Sequence, residues 1–409
     1  MQNIKLFFLS FTILFSTSLF SQKIIKGIVL SEKNIPLEGA SVYLNNTTIG
    51  VFSDSEGKFS LKTKSGVFEL IISFIGYKKI QFPINTSEKN TLLKFKLTPK
   101  TNFIDEVVLK KTVYDNEWKY HLSLFKQEFI GNTNLSRNCI ILNPKVLHFD
   151  FDKKKNVLTA FAREPLKIKH KGLGYLITYE LEHFIRTKNS ITYLGYSRYE
   201  NLTGNKRKKE RWKKNRLKTY NGSPVHFFKS VLNNTFDEEG FIVNQFRRVL
   251  NPDRPSEFEI EKARKLIHLN NKQTISFLKK IDNPKNALDS ALVVLRKVKL
   301  PRFNDYLYRS KLKRNEIINF KNRSFYLSFK DNLSVIYTKE KEEYSYQLRL
   351  PYSKRTKSSN QTSSIIPLKK DALLDRTGAL INPLDVFFEG YWSYEKFANT
   401  LPLNYQPEK

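Results

Sequence analysis

Short runs of alternating apolar and polar positions fill the first hundred residues. KIIKGIVL, ASVYLNN, KFSLKT, VFELIISFIGYKKI and TLLKFKL are rich in β-branched and aromatic residues, and the turn clusters SEKNIPLEG, SDSEG and NTSEKN separate them. Within KFSLKT, Phe59 and Leu61 fall on one side and Lys58, Ser60 and Lys62 on the other, the period of a half-buried strand. Strands at this spacing, with no helical period between them, predict a β-sandwich over residues 23–98. Its expected core includes Val42, Phe59, Leu61 and Phe74.

The period then changes. Residues 99–135 read as a linker and an amphipathic helix, in which Trp118, Leu122, Phe125 and Phe129 recur on one face that packs on the β-region after it. KVLHFDF, VLTAFA, GYLITYELEHFI and SITYLGYSRY are strand-like again. Tyr175, Ile177, Tyr179 and Leu181 alternate with Leu176, Thr178, Glu180 and Glu182, as in a half-exposed sheet. Helices follow. Ser223 caps one with Pro224 at its first position, leading into VHFFKSVL. Pro255 and Ser256 precede EFEIEKARKLIHL, and NALDSALVVLRKV is a third. Strands resume at SFYLSF and LSVIYT. YSKRTKSSNQTSS reads as a Lys/Ser-rich loop, and ALLDRTGALI as a hairpin about Arg376, Thr377 and Gly378. The aromatic GYWSYEKFANTLPLNY is expected to dock, since a free tail would not retain so many rings. The fold class expected is therefore β-rich: an N-terminal sandwich, then a larger mixed α+β region over 136–409.

Composition narrows the partners. The 409 residues carry a formal net charge of +32, yet 13% are aromatic, too many for a disordered polycation. MQNIKLFFLSFTILFSTSLFSQ, residues 1–22, has one Lys, an apolar run and then small residues, the three-part pattern of a secretory signal peptide with cleavage near Ser21. No Cys lies near that point, which argues against a lipid anchor. Cys139 is the only cysteine, so no intrachain disulfide is possible. No later run reaches the ~20 apolar residues of a membrane helix. An exported chain, in the periplasm or at the outer-membrane periphery, is expected, with no transmembrane span in the mature protein.

The ordered set Gly27-x-Val29, Pro36-Leu37-x-Gly39-Ala40-x-Val42, Gly50, Asp54-x-x-Gly57-x-Phe59 and Ser73-Phe74-Ile75-Gly76-Tyr77 resembles the carboxypeptidase-regulatory-like domain. The resemblance implies a transthyretin-like β-sandwich, common in exported proteins of Bacteroidota. NPKVLHF, REPLKIKHKGLGYLITYELEHF, RWKKNRLKTYNGSPVHFFKSVLNN and GYWSYEKFANTLPLNYQP resemble blocks of exported Bacteroidota proteins with this sandwich at the front. That likeness implies an architecture and an envelope location, and no activity. FIDEVVL, residues 103–109, looks like the segment after the same sandwich in TonB-dependent receptors, but about 300 residues are too few for a plug and a 22-stranded barrel.

Catalytic patterns are missing. His121, His148, His170, His183, His226 and His268 show no metal-ligand spacing, and none opens the His-Glu motif of a metallocarboxypeptidase. No G-x-S-x-G elbow, phosphate loop or dinucleotide fingerprint occurs. Asp54-Ser55-Glu56-Gly57 is a turn with too few carboxylates for a calcium loop. The pairs Asp150/Asp152 and Glu180/Glu182 lie on single strand faces, as solvated carboxylates also do. Cys139, in an apolar run, reads as structural. No catalytic, cofactor or metal residue is expected.

GNKRKKERWKKNRLKTY, residues 204–220, is the outstanding feature. Lys206, Arg207, Lys208, Lys209, Arg211, Lys213, Lys214, Arg216 and Lys218 crowd a stretch of high helix propensity, with Trp212 and Tyr220 as anchors. Export removes nucleic acid as a partner. Two readings stay open: a solvated face in a Lys-rich chain, or contact with an anionic envelope surface or glycan. The function expected is a non-enzymatic binding or assembly role. The alternative is a hydrolase of cell-wall or glycan substrates with a site in residues 140–400. N-terminal sequencing of the mature protein should begin near Gln22; an intact Met1 in the cytosol would return nucleic acid to consideration.

Overall fold

The computed structural model describes residues 23–88, 92–100, 112–269, 281, 283–322, 324–350 and 359–408. The signal-peptide stretch, FIDEVVL and the first part of the Lys/Ser-rich segment lie outside the described residues. Among those described, buried apolar side chains gather in three clusters.

The first is the expected sandwich. Strands β1 (Lys23–Ser31), β2 (Ser41–Leu44), β3 (Gly50–Phe52), β4 (Lys58–Thr63), β5 (Val67–Ser73), β6 (Ile80–Asn85) and β7 (Leu93–Leu97) form two sheets, ordered β4-β1-β7 and β3-β2-β5-β6. β1 runs antiparallel to β4 and parallel to β7. The alternation in β4 holds: Phe59 and Leu61 are buried, Lys58, Ser60 and Lys62 exposed. Val42 is buried too. Phe74 is a correction: it sits past the end of β5, is only half-buried, and packs on the core's margin beside Tyr77. Gly27 is required by packing, since a Cβ there would lie 2.6 Å from both the Phe59 ring and the Leu93 carbonyl oxygen.

The second cluster is built on α1 (Asn116–Phe129) and a six-stranded sheet of β8 (Cys139–Ile141), β9 (Leu147–Asp152), β10 (Val157–Ala162), β11 (Leu166–His170), β12 (Tyr175–Arg186) and β13 (Ile191–Asn201). Asp115 caps α1 through its side chain, and Leu122, Phe125 and Phe129 turn inward as the spacing predicts. They meet Tyr175, Ile177 and Tyr179 from β12. β12 pairs along its length with β13, while its other edge is shared by β11 and β10. The opposite face of β12 is half-exposed as expected, with Glu182 open to solvent and Leu176 and Thr178 half-buried, but Glu180 on it is buried. The sandwich closes over it: the buried Tyr43 hydroxyl donates to Glu180 at 2.9 Å. The β2–β3 turn extends along β13, with Asn46 N–H donating to Ser197 O (2.8 Å) and Tyr199 N–H to Thr47 O (3.0 Å). That turn covers what would otherwise be a bare sheet edge.

The third cluster follows α2 (Lys206–Tyr220) and α3 (Pro224–Asn233). α3 starts at the Ser223 cap and Pro224, and buries Phe227, Phe228 and Val231. These rest on a sheet ordered β15-β14-β18-β19-β21. Its strands are β14 (Phe241–Leu250), β15 (Phe303–Arg309), β18 (Asn332–Lys341), β19 (Asn360–Pro367) and β21 (Val386–Gly390); β16 (Ile318–Lys321), β17 (Ser324–Leu327) and β20 (Ala372–Leu374) form a small sheet beside it. Helices α4 (Glu257–Leu269) and α5 (Ala287–Lys297) are inserted between β14 and β15. Two short helices complete the chain, α6 (Tyr344–Gln347) and α7 (Tyr391–Tyr394).

β19 corrects the loop expected over 352–364. NQTSSIIP shows few apolar residues, but Gln361 and Ser363 are buried in line with Ile365. Ser363 Oγ accepts the backbone N–H of Trp392 at 3.0 Å, so a polar side chain serves the interior. The hairpin at 372–381 is present: Asp375 N–H donates to Ala379 O, and Gly378 takes φ +81°. Phe59→Ala should cost ~3–5 kcal/mol in chemical denaturation, because its ring is buried between the two sheets of the sandwich. A loss under ~1 kcal/mol would show that the site collapses around the deletion.

Candidate functional site

α2 is held against the second cluster by one face. Asn205 caps it, its side chain accepting from Lys208 N–H. Trp212 is buried, and its indole N–H donates to Lys171 O at 2.8 Å. The indole lies on two glycines: a Cβ at Gly174 would come within 2.3 Å of the ring, and one at Gly204 within 2.6 Å. Arg216 also turns inward. It donates to Leu173 O (2.8 Å), Gly174 O (3.2 Å) and Asn201 Oδ1 (3.1 Å), and its guanidinium lies 4.0 Å from the Tyr175 ring centroid. Grouping Arg216 with the outward ridge is therefore corrected: satisfying bare carbonyls in the tight Lys171–Gly174 turn draws it in.

The other eight basic residues are exposed. Lys213 pairs with Glu408 at 2.5 Å, and Lys218 borders a cavity described below. Lys206, Arg207, Lys208, Lys209, Arg211 and Lys214 have no ion-pair partner among the described residues. The helix thus presents six uncompensated cations on a rigid support.

The carboxylate pairs noted in the sequence are engaged otherwise. Lys79 binds Glu180 at 3.2 Å and also contacts Glu182, tying β12 to the sandwich. Asp152 accepts backbone N–H groups of Lys154 and Lys155 in a turn. Cys139 is half-buried, and burial pushes its thiol up to about 12, far from a reactive thiolate. Among the described residues no group of three or more His, Cys, Asp or Glu is placed to hold a metal ion.

A second site escaped the sequence reading. Beneath the last turn of α2 lies a polar cavity of about 260 Å³, lined among others by Lys218, Thr219, Glu340, Glu343, Gln361 and Glu395. Glu340 comes from β18, Glu343 precedes α6, and Glu395 follows α7. Glu343 Oε2 accepts from Tyr394 OH (3.0 Å) and Asn134 N–H (3.1 Å). Glu340 accepts from Asn221 and Gln361, and Glu395 from Asn399 at 3.3 Å. Burial first, then the charges of Glu343 and Glu340, push the Glu395 carboxyl up to about 8. Burial raises Glu340 as well. Thr219, Glu395 and Asn399 also line an adjoining, more apolar cavity of about 330 Å³, walled by Tyr179, Tyr193, Tyr199, Tyr220 and Tyr405. In sequence, YWSYEKF belonged to the docked aromatic segment, and EKEEYSY carried no signal. No local pattern brings their glutamates together.

Residues 25–109 match the family model of the CarboxypepD_reg-like domain. Over this domain the chain is 37% identical across 98 residues to the TonB-dependent receptor SusC of Bacteroides thetaiotaomicron, 24% of this chain and 9% of the receptor. It is 30% identical across 104 residues to a TonB-dependent receptor of Formosa agariphila, 25% of this chain and 9% of that protein. The chain thus spans under a tenth of the length of the curated relatives it matches. A DUF3823 family protein from Bacteroides ovatus aligns over 45% of this chain and 82% of its own, at 10% identity and a TM-score of 0.16, which carries no argument. Among the described residues, no helix is long and apolar enough to cross a membrane.

Burial, reinforced by Glu343 and Glu340, holds the folded-state pKa of Glu395 at about 8, above its usual 4.5. Its contribution to stability is full below about pH 4.5 and is lost as pH rises through about 8. Glu395→Gln should therefore gain stability relative to the parent between pH 5 and pH 9, as measured by denaturant titration. Parallel pH profiles for the two proteins would place an ionised, hydrated carboxylate there.

Proposed function

We propose that this chain, whose N-terminal sandwich is a CarboxypepD_reg-like domain, is a non-enzymatic binding or assembly protein of the cell envelope. It docks on a phosphate-bearing lipid surface through the outward face of α2. The observation that carries this reading is the row Lys206, Arg207, Lys208, Lys209, Arg211 and Lys214, exposed and without ion-pair partners among the described residues, on a helix pinned by Trp212 and Arg216. Each cation near an anionic membrane contributes ~1 kcal/mol, so six suffice for reversible attachment. A pinned helix loses little further freedom on binding, which favours association. The domain shared with TonB-dependent receptors and the secretory pattern at residues 1–22 support the envelope setting.

The test replaces Arg207, Lys209, Arg211 and Lys214 together with Gln, which keeps helix propensity. Binding to vesicles containing phosphatidylglycerol should weaken ~100- to 1000-fold at low salt. Parent binding should fade at 1 M salt, where the Debye length shrinks to ~3 Å. The melting temperature should barely move, since exposed charges contribute little to stability. Equal vesicle binding by parent and variant would make the ridge a solvated face. Binding to an acidic polysaccharide but not to vesicles would replace the lipid reading with a glycan one.

A further inference from the structure

The tyrosine-walled cavity of about 330 Å³ lies at a junction of the chain's three bodies. Asn46 of the sandwich, Tyr179 of β12, Tyr193 of β13 and Tyr220 of α2 share its lining with Leu403 and Tyr405 near the C-terminus. The C-terminal wall is tied to the sandwich: Leu403 N–H donates to Asn46 O and Asn404 Nδ2 to Thr48 Oγ1, both at 2.7 Å. The chain has 71 Lys and Arg residues, yet none of them lines this space, and no His does. Its one carboxyl is Glu395, which burial and the charges of Glu343 and Glu340 push up to about 8, so it keeps its proton at pH 7. An ion entering such a lining gives up water and meets no opposite charge. Hydrogen-bonding groups are nevertheless present. Among the described residues, the hydroxyls of Tyr179 and Tyr193 have no hydrogen-bond partner. Tyr179 is only 4% exposed, yet its hydroxyl is not sealed in packing and keeps open surface. β13 makes the room for it, since a Cβ at Gly195 would lie 2.7 Å from that hydroxyl. Buried tyrosines ordinarily pair their hydroxyls, so these two stand ready for water or a ligand.

We propose that this cavity binds an uncharged aromatic molecule of two fused rings that carries a hydroxyl or carbonyl oxygen. The rings pack against the tyrosine, leucine and proline walls, and the oxygen meets the hydroxyl of Tyr179 or Tyr193. The size agrees: a cavity of ~150 Å³ accepts benzene, so about 330 Å³ admits two fused rings. A sugar fits less well, because the walls are mainly apolar and each of its many hydroxyls would need a partner. A mostly apolar pocket with a few convergent polar groups, set between domains, is the common form of a small-molecule site.

Equilibrium dialysis of the full chain at pH 7 tests the assignment, with 2-naphthol as the probe. Naphthalene lacks the oxygen, 2-naphthoate adds a charge, and glucose stands for a sugar. Saturable binding of 2-naphthol at one site is expected, with 2-naphthoate weaker by about tenfold or more. The double variant Tyr179→Phe/Tyr193→Phe keeps both rings and removes two hydroxyls that no protein group uses. It should melt no lower than the parent, weaken 2-naphthol about 2- to 10-fold and leave naphthalene binding unchanged. A merely structural role for these tyrosines would not separate the two probes. Val225→Phe adds bulk to the lining and should abolish binding of both. An absence of saturable 2-naphthol binding would leave the cavity to water and overturn the proposal. So would equal 2-naphthol affinity in the parent and either variant, 2-naphthoate bound as tightly as 2-naphthol, or glucose bound in its place. None of the cations replaced in the vesicle assay lines the cavity, so the two tests fail independently.

Discussion

The last seventeen residues of the described chain must lie in all three bodies at once. Trp392 fills the third cluster, its indole N–H donating to Gly222 O at 2.7 Å. Phe397 and Ala398 fill the second, with Phe397 stacked on Phe129 at 4.6 Å. Leu403 N–H then donates to Asn46 O in the sandwich at 2.7 Å. His170 Nε2 meets Ala398 O at 2.9 Å, and burial holds that imidazole below its usual range, hence neutral. The four residues between Trp392 and Phe397 link two cores, and this tether positions Glu395 where the cavities meet.

That constraint explains why a strongly basic protein encloses an acidic cavity. The backbone between two hydrophobic anchors has little freedom to place Glu395 elsewhere. Neighbouring polar groups are handled by pairing: Lys396, nearly buried, binds Glu128 at 2.5 Å, and Arg186 approaches the same carboxylate at 3.6 Å. Burial and these cations act in opposite directions on Glu128, and its pKa is lowered on balance. Glu395 has no such cation at contact distance, only the more distant Lys218, so it keeps its proton instead.

The same helix serves both faces of the functional reading. α2 packs inward through Trp212 and Arg216, presents its cations outward, and roofs the acidic cavity with Lys218 and Thr219. Opposite electrostatic signs lie on the two sides of one helix. Water screens the outer charges, whereas the cavity carboxyls act on one another with little screening.

Local pattern determined a great deal. The alternation at Phe59 and Leu61 and the ring spacing from Trp118 to Phe129 are periodicities of two and 3.6 residues, which solvent exposure imposes on any half-buried element, while the Ser223-Pro224 cap and the Lys/Arg-rich helix were legible from cap chemistry and helix propensity. Where that asymmetry fails, the pattern falls silent. β19 buries Gln361 and Ser363, whose partners Glu340 and Trp392 lie 21 and 29 residues away. Glu180 looked solvated because the hydroxyl that covers it, on Tyr43, comes from 137 residues earlier. Arg216 looked like one more ridge cation until the carbonyls of Leu173 and Gly174 claimed it. Sequence by itself thus settled which elements form and which way their apolar faces point. Only the tertiary structure decided which polar groups are buried together, because that depends on long-range docking that leaves no local period in the chain.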